Sequence, residues 1–369
     1  MVTHNPAKPH ATNNPASSGN QPGSGGQPES GPQGAVGADA DGEASWPLTT
    51  WPGWQRFATT EPIRPPQIGD APRSQDERLA YHSAFVTIRT PAITTLTTQV
   101  RTLMLLGRHQ QATARPSLIV TGPAAAGKTT ALLHVGRARH LAHTHNTPPP
   151  DGRSRQAVPV AYVLVPPGAS AKTLVTEFAR YLGIPITGRM TTTQITEAVC
   201  HTYTHAGVRL VMIDEIHRLN PRTTTGAEAA DLLKDLTERL PATFVYAGID
   251  VTTTPLFTGV RGAQLAARAS LVECGAFPAR HGKSEPFKEL IAGVEAALDL
   301  HKHRPGTLPR QASYLHQRTA GRIGSLTRLI RQAAITAIVD GTERITKASL
   351  ETIRIDHHAE QHRRPKTRN

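Results

Sequence analysis

The sequence predicts an α/β protein, in which a parallel sheet flanked by helices is followed by a small C-terminal helical domain. Two observations indicate this fold class. Short apolar segments alternate with longer segments of helical period between residues 116 and 280. Beyond Pro278 the strand pattern stops and only helical patterns remain. Strands that alternate with helices are typical of a parallel sheet covered on both faces.

The middle of the chain holds five predicted strands and the helices that connect them. Each strand is a short apolar run: Ser117–Thr121, Val158–Val165, Val208–Ile213, Thr243–Ala247 and Leu271–Glu273. Apolar residues at helical spacing predict the intervening helices: Gly127 to about His143, Ala171–Leu182, Thr191 to about His205, and Glu228–Leu240. We place this region, residues 116–280, in one domain.

Two segments precede this domain. Residues 1–45 are rich in Pro, Gly and Ser with almost no large apolar side chain, so we expect a disordered tail. Residues 46–115 form an aromatic segment and a helical lead-in. Pro47 and Pro52 predict that no helix forms around the three tryptophans, which either anchor a partner or pack onto the chain's own domain. Residues 75–106 have a helical pattern with a break at Pro91.

The segment after the sheet region, residues 281–356, is predicted to be a helical lid domain. Its helical patterns cover Pro286–Leu300, Pro309–Thr319 and Ile323–Val339. A last helix is expected to start with Thr346 as N-cap, with Ile345 and Leu350 as a hydrophobic staple. Residues 357–369 are predicted to be a basic tail.

The net charge of +13 is unevenly distributed along the chain. The first 60 residues carry −2, so the rest carries +15, mostly as arginine, which favours a polyanion such as nucleic acid as partner. No apolar run reaches the roughly 18 residues of a membrane span, and we expect no membrane association. With no secretory signal and two distant cysteines, Cys200 and Cys274, the sequence predicts a cytoplasmic protein.

A glycine-rich turn between the first predicted strand and helix carries the strongest functional signal. The segment from Gly122 to Thr129 fits the pattern GxxxxGK[ST] in the strand–turn–helix context that the pattern requires. Its backbone N–H groups and the helix N-terminus suit phosphates, Lys128 suits the β- and γ-phosphates, and Thr129 suits Mg²⁺. We therefore predict a site for ATP and Mg²⁺, with these nucleotide-binding residues: Gly122, Pro123, Ala124, Ala125, Ala126, Gly127, Lys128, Thr129 and Thr130.

A pair of acids follows the third predicted strand. Asp214 comes directly after the apolar run Leu210–Ile213 and is predicted to join Thr129 at the Mg²⁺ site. Glu215 is then placed to orient and deprotonate the attacking water. Together with Lys128, these acids predict ATP hydrolysis.

These motifs resemble those of the AAA+ ATPases, and among them the TniB/TnsC-type ATP-binding proteins of transposons, which are kin to IstB and MuB. The resemblance covers residues 76–355. It rests on the glycine-rich turn, on Asp214-Glu215-Ile216-His217, on Gln264-Leu265-Ala266-Ala267-Arg268, and on Gly321-Arg322-Ile323-Gly324.

The resemblance implies further residue roles. Arg268 would be an arginine finger that completes the site of a neighbouring subunit, with Arg261 as the competing candidate, and a plain surface arginine is the alternative for Arg268. Arg322 would be the lid arginine that contacts the γ-phosphate, or else a surface base at a helix start. The chain departs from the family pattern at the first sensor. There Gly248-Ile249-Asp250 stands in place of Asn or Thr, and Asp250 or Thr252 is left for the role.

The resemblance also implies a function. It is that of an ATP-dependent protein that forms a ring or filament of identical subunits on duplex DNA. In this role it would act with a transposase or other transposition proteins in target selection. The alternative is an ATP-gated signalling or adaptor ATPase of the Orc or STAND kind. Such a protein would bind a protein partner through the Trp46–Trp54 segment.

Overall fold

A computed structural model describes residues 46–67, 69–84, 87–109, 115–146, 157–219, 223–253, 257 and 259–355. The tails predicted at residues 1–45 and 357–369 lie outside these ranges.

Five strands form one parallel sheet in the order β2-β3-β4-β1-β5. Their bounds are β1 Ser117–Thr121, β2 Val160–Leu164, β3 Leu210–Asp214, β4 Thr243–Gly248 and β5 Ala269–Glu273. The first four are buried almost throughout. Burial on both faces explains why these strands are continuous apolar runs in the sequence rather than alternating ones. The predicted α/β fold class is confirmed.

Helices flank this sheet and share one apolar core with it. They are α3 Pro91–His109, α4 Lys128–Asn146, α5 Ala171–Tyr181, α6 Thr192–His205, α7 Thr224–Arg239 and α8 Gly259–Ala267. Capping boxes start two of them, because the Ser170 hydroxyl accepts from Thr173 N at 3.2 Å and that of Thr191 from Gln194 N at 3.2 Å.

The prediction that prolines prevent a helix in the aromatic segment is wrong. Helix α1 spans Trp51–Thr59, with Thr50 as N-cap and Pro52 within the first turn. Proline is tolerated there because the first N–H groups of a helix have no intrahelical partner. Trp54 is fully buried, and its ring stacks on that of Tyr162 with centroids 6.0 Å apart. This tryptophan packs onto the chain's own sheet domain.

The helical lead-in contains two separate helices, because Pro91 begins a helix instead of interrupting one. Helix α2 spans Gln75–Ser83, and α3 starts at Pro91 with Thr90 accepting from Ile93 N at 3.3 Å. Helix α2 packs against the lid, whereas α3 packs against α4 and the sheet. A buried ion pair fixes α2, since Arg78 donates two hydrogen bonds to the Glu343 carboxylate at 2.7 and 3.0 Å.

The lid has an apolar core of its own. Its helices are α9 Pro286–Ala296, α10 Ala312–Thr319, α11 Ile323–Val339 and α12 Lys347–Thr352. The predicted N-cap at Thr346 is present, and Ile345 and Leu350 are both buried. Helix α9 ends four residues earlier than predicted. Beyond it, Ala297 O accepts from the Tyr81 hydroxyl at 2.6 Å and Asp299 N donates to His82 Nε2 at 3.2 Å.

Within the described ranges, no helix is both long enough and apolar enough to cross a bilayer.

Candidate nucleotide site

The loop between β1 and α4 adopts a conformation that few side chains tolerate. Gly122 and Gly127 have φ angles of +151° and +90°, and Ala125 between them has φ +59°. A Cβ added at Gly122 would lie 2.0 Å from the Cys274 carbonyl oxygen. Glycine is therefore required at position 122 both by backbone conformation and by the close approach of the segment after β5.

Lys128, the first residue of α4, is largely buried under this loop. Its ammonium turns back and donates to the carbonyl oxygens of Gly122 at 2.9 Å and Pro123 at 2.7 Å. Burial lowers the pKa of the Lys128 ammonium, and the nearby Asp214 carboxylate opposes this shift. The loop thus holds a cation against its own backbone.

The carboxylate predicted at the end of β3 meets the hydroxyl predicted beside it. Thr129 Oγ1 donates to Asp214 Oδ2 at 2.7 Å, and the buried Tyr162 hydroxyl donates to the same oxygen at 3.1 Å. Glu215 N donates to Asp214 Oδ1 at 2.8 Å, so both carboxylate oxygens have partners. Burial raises the pKa of Tyr162, as does Asp214, which keeps the phenol protonated as a donor.

Glu215 adopts a left-handed backbone conformation with φ +61°. A non-glycine residue in this region stores strain, a feature that clusters at functional sites. Its Oε2 atom lies 3.1 Å from Arg218 Nη2 and 3.7 Å from His217 Nε2. Arg218 also donates to Val165 O at 3.1 Å, which anchors its guanidinium. The sequence did not predict the ion pair between Arg218 and Glu215. The one feature that indicates it is the spacing of three residues between the acid and the base.

The segment after β4, where the first sensor is expected, is tied to the same site. Ile249 N donates to His217 Nδ1 at 3.2 Å, and Val251 N donates to Thr121 Oγ1 at 3.0 Å. Asp250 is exposed and has φ +45°. Thr252 is exposed.

The start of α11, in the lid, contacts the glycine-rich loop directly. Gly324 N, in the first turn of α11, donates to Ala125 O at 2.8 Å, and a Cβ at position 324 would lie 2.7 Å from that oxygen. Arg322 is the N-cap residue of α11 and so stands at the same junction. A narrow cavity of about 70 Å³ lies between loop, lid and lead-in, and its lining includes Ile88, Thr90, Thr130, Cys274, Ile323 and Thr327.

Arg268 lies at the edge of the sheet where the strands begin, opposite to the edge that carries the glycine-rich loop. It directly precedes β5, its carbonyl accepts from Ser117 N at 2.8 Å, and its Nη1 lies 3.3 Å from Glu238 Oε1. Four residue steps of strand, roughly 13 Å, separate this edge from the loop after β1. Arg268 therefore does not reach the site of its own chain. Arg261 belongs to α8, but its side chain lies outside the described part of the chain.

The donors at the loop fit Mg²⁺. The described residues contain no group of three or more His, Cys, Asp or Glu side chains that could hold a metal ion by themselves. Mg²⁺ prefers oxygen ligands and takes few of them from the protein, and Thr129 Oγ1 and the Asp214 carboxylate already lie together.

Solved structures with similar folds include two ORC proteins and a Cdc6 protein. The chain is 14% identical to the Aeropyrum pernix ORC2 protein, solved as ADPNP–ADP complexes, with a TM-score of 0.54 over 81% of this chain and 70% of that chain. The ORC1 protein of the same organism, solved in complex with DNA, is 16% identical, with a TM-score of 0.51 over 74% of this chain and 66% of that chain. Cdc6p of Pyrobaculum aerophilum is 12% identical, with a TM-score of 0.52 over 73% of this chain and 68% of that chain. At these identities the likeness is one of fold.

None of the curated protein sequences compared with the chain matches it. The family model of the bacterial TniB protein, in contrast, matches residues 78–273, which is more than half of the chain. This stretch holds the glycine-rich loop, Asp214, Glu215 and Arg268. The chain belongs to the TniB family and has the fold of the P-loop AAA+ ATPases.

Proposed function

We propose that this chain binds and hydrolyses ATP, assembles with copies of itself on duplex DNA, and acts with a transposase or other transposition proteins in target selection. One observation supports the nucleotide site above all others. The Thr129 hydroxyl and the Asp214 carboxylate, 85 residues apart in sequence, hydrogen-bond at 2.7 Å directly beside Lys128.

The residues of the loop would hold the phosphates. The N–H groups of residues 124–127 and the N-terminus of α4 favour negative charge, and Lys128 would exchange its two backbone carbonyls for phosphate oxygens. Mg²⁺, when bound at Thr129 and Asp214, would neutralise charge on the phosphates. We assign the adenine base of ATP to the cavity beside the loop. Its lining includes Ile88, Thr90, Thr130 and Ile323.

Hydrolysis requires a base and a group that stabilises charge. We assign the base to Glu215, whose carboxylate must leave Arg218 before it can accept the proton of water. We assign the arginine finger to Arg268 acting on the site of a neighbouring subunit, since its edge of the sheet lies away from its own loop. Arg322, at the start of α11, would contact the γ-phosphate from the lid.

The DNA partner is supported by charge and by family. The chain beyond residue 60 carries +15, far more than one nucleotide site uses. The family is that of the bacterial TniB protein, and one solved structure of similar fold, ORC1, is a complex with DNA. The rival assignment, a signalling ATPase that binds a partner through Trp46–Trp54, has less support because Trp54 is buried in the core.

Fluorescence anisotropy with a labelled duplex tests this function. We expect binding near physiological salt that needs ATP and Mg²⁺, tolerates any sequence, and has a log–log salt slope of about −0.9 per phosphate contacted. ATP turnover should rise on addition of the duplex. ATP hydrolysis that ignores DNA, with no duplex bound, would favour the signalling assignment.

A further inference from the structure

A basic groove lies between α3, α4 and the edge of the sheet where the strands begin. We call it the arginine groove, after four of its residues: Arg108, Arg115, Arg139 and Arg209. The groove has a volume of about 420 Å³ and is also lined by His143 and Thr243. Parallel strands start at one edge, so Arg115 before β1 and Arg209 before β3 meet there with the last turns of α3 and α4.

A second cavity of about 450 Å³ continues the groove along α3 and α4. It shares Met104, Arg108 and Arg139 with the first and adds Arg101 at its rim. Its floor is apolar, with Val100, Val135 and Ala138 among the lining residues. An apolar floor lowers the local dielectric constant and so strengthens hydrogen bonds that guanidinium groups make to an anion.

The arginines of the groove repel one another. The pKa of Arg139 is lowered by burial and by the charges of Arg108 and Arg209, and that of Arg115 by burial and by Arg209. No carboxylate lines either cavity among the described residues. The buried Arg78, in contrast, is paired with the Glu343 carboxylate.

Two polar atoms of the groove have no hydrogen-bond partner among the described residues. Arg139 Nε and His143 Nε2 are buried without a hydrogen-bond partner. Among the described residues, the Arg209 guanidinium donates one long bond, 3.3 Å, to Pro241 O. Buried polar groups normally have partners, and a bound ligand or water can supply them. Several guanidinium groups converging on one cavity require an anion with several charges.

We propose that the arginine groove binds backbone phosphates of duplex DNA. Arginine suits phosphate through its two parallel N–H donors, and the row formed by Arg101, Arg108, Arg139 and Arg209 offers several such contacts within one chain. The groove lies across the sheet from the Lys128 loop, so ATP and DNA can be bound at once. This inference rests on the proposed function, for which it supplies the DNA-contacting surface.

The test compares two triple variants of equal charge. Arg108→Gln/Arg139→Gln/Arg209→Gln changes the groove, and Arg189→Gln/Arg304→Gln/Arg344→Gln changes three exposed arginines outside it. With ATP, Mg²⁺ and about 0.1 M salt, we expect the groove variant to bind labelled duplex about tenfold or more weakly. Its log–log salt slope should shrink by about 2–3, one unit per lost phosphate contact. The control variant should bind like wild type.

ATP affinity, measured with a fluorescent analogue, should be unchanged in both variants. The double variant Arg108→Gln/Arg209→Gln leaves the partly buried Arg139 in place and keeps the test valid if the triple variant unfolds. Equal duplex binding by wild type and groove variants would overturn the inference while the proposed function stands.

A further arm separates this inference from failure of the proposed function. If wild type binds no duplex, the assignment to DNA fails, and tripolyphosphate is titrated into Lys128→Ala protein so that the loop cannot respond. Thermal stabilisation that the groove substitutions remove would reassign the groove to free polyphosphate. Poly-glutamate that stabilises the same protein as well as tripolyphosphate does, and loses this effect when the groove is substituted, would reassign it to an acidic protein partner. No response to any of these overturns an anion site.

Discussion

Positively charged side chains have different partners at the two edges of the sheet. At the edge where the strands end, Lys128 lies against two carbonyl oxygens, and Arg218 lies against Glu215 and Val165 O. At the edge where the strands begin, Arg108, Arg139 and Arg209 face one another without a described carboxylate. The first edge is internally compensated and must exchange partners to bind a ligand. At the second edge, the three groove arginines need an external anion to become compensated.

The largest expected effect concerns Lys128. Lys128→Ala should weaken ATP binding about 100-fold or more, because charge-assisted contacts to phosphate worth roughly 3 kcal/mol are lost. Glu215→Gln should instead retain ATP and lower turnover, since an amide cannot accept the proton of water. Titration calorimetry with ATP and Mg²⁺ gives the affinities.

Lys172→Ala is the matched control, because Lys172 is exposed and its ammonium makes a long hydrogen bond, 3.4 Å, to Gly188 O. Equal ATP affinity for wild type and Lys128→Ala would remove the nucleotide site from this edge and with it the contrast between the two edges.

The next effect links the two edges across subunits. Arg268→Ala should bind ATP but hydrolyse it about 10³-fold more slowly, because it removes the arginine finger that we propose acts on the site of a neighbouring subunit. Mixing with Lys128→Ala subunits should restore part of the turnover, since they present an intact Arg268 to a competent site. Steady-state phosphate release measures both.

Arg180→Ala serves as control, because Arg180 forms a comparable exposed ion pair with Glu177. Full turnover by Arg268→Ala alone would leave the role to Arg261 or to neither arginine.

The smallest effect concerns the ion pair between Arg218 and Glu215 at the edge where the strands end. Arg218→Gln removes the cation that holds the Glu215 carboxylate, and basal ATP turnover should rise about two- to fivefold, the worth of a partly exposed ion pair. Stimulation by DNA should shrink in the same variant if DNA normally frees Glu215. A turnover that falls or stays constant would show that Arg218 does not restrain the base.

The nucleotide edge was largely predictable from the sequence. The bounds of β1 and α11 agree with prediction to the residue, and the loop at residues 122–129 joins strand and helix as its motif requires. The meeting of Thr129 with Asp214 was also predicted, because a doubly wound sheet brings the ends of its strands to one edge. These features depend on local residue patterns or on a general property of the fold.

The remaining features depend on packing between distant segments. Helix α1 forms despite Pro52 because Trp54 fits against the sheet beside Gly136, where a Cβ would meet the indole at 2.6 Å. Helix α9 stops early because side chains of α2 bond the backbone beyond it.

The sequence alone determined the fold class, because the alternation of strands and helices repeats along residues 116–280. It also determined the glycine-rich loop and the acids at the end of β3, since each is encoded within a few consecutive residues. Only the tertiary structure decided where the excess arginines lie. Arg108, Arg139 and Arg209 are far apart in the chain, and each by itself looks like a surface base. They form one groove because α3, α4 and the start of β3 converge at one edge of the sheet. Charge composition is a property of the whole chain, whereas a binding surface needs long-range packing to gather its side chains.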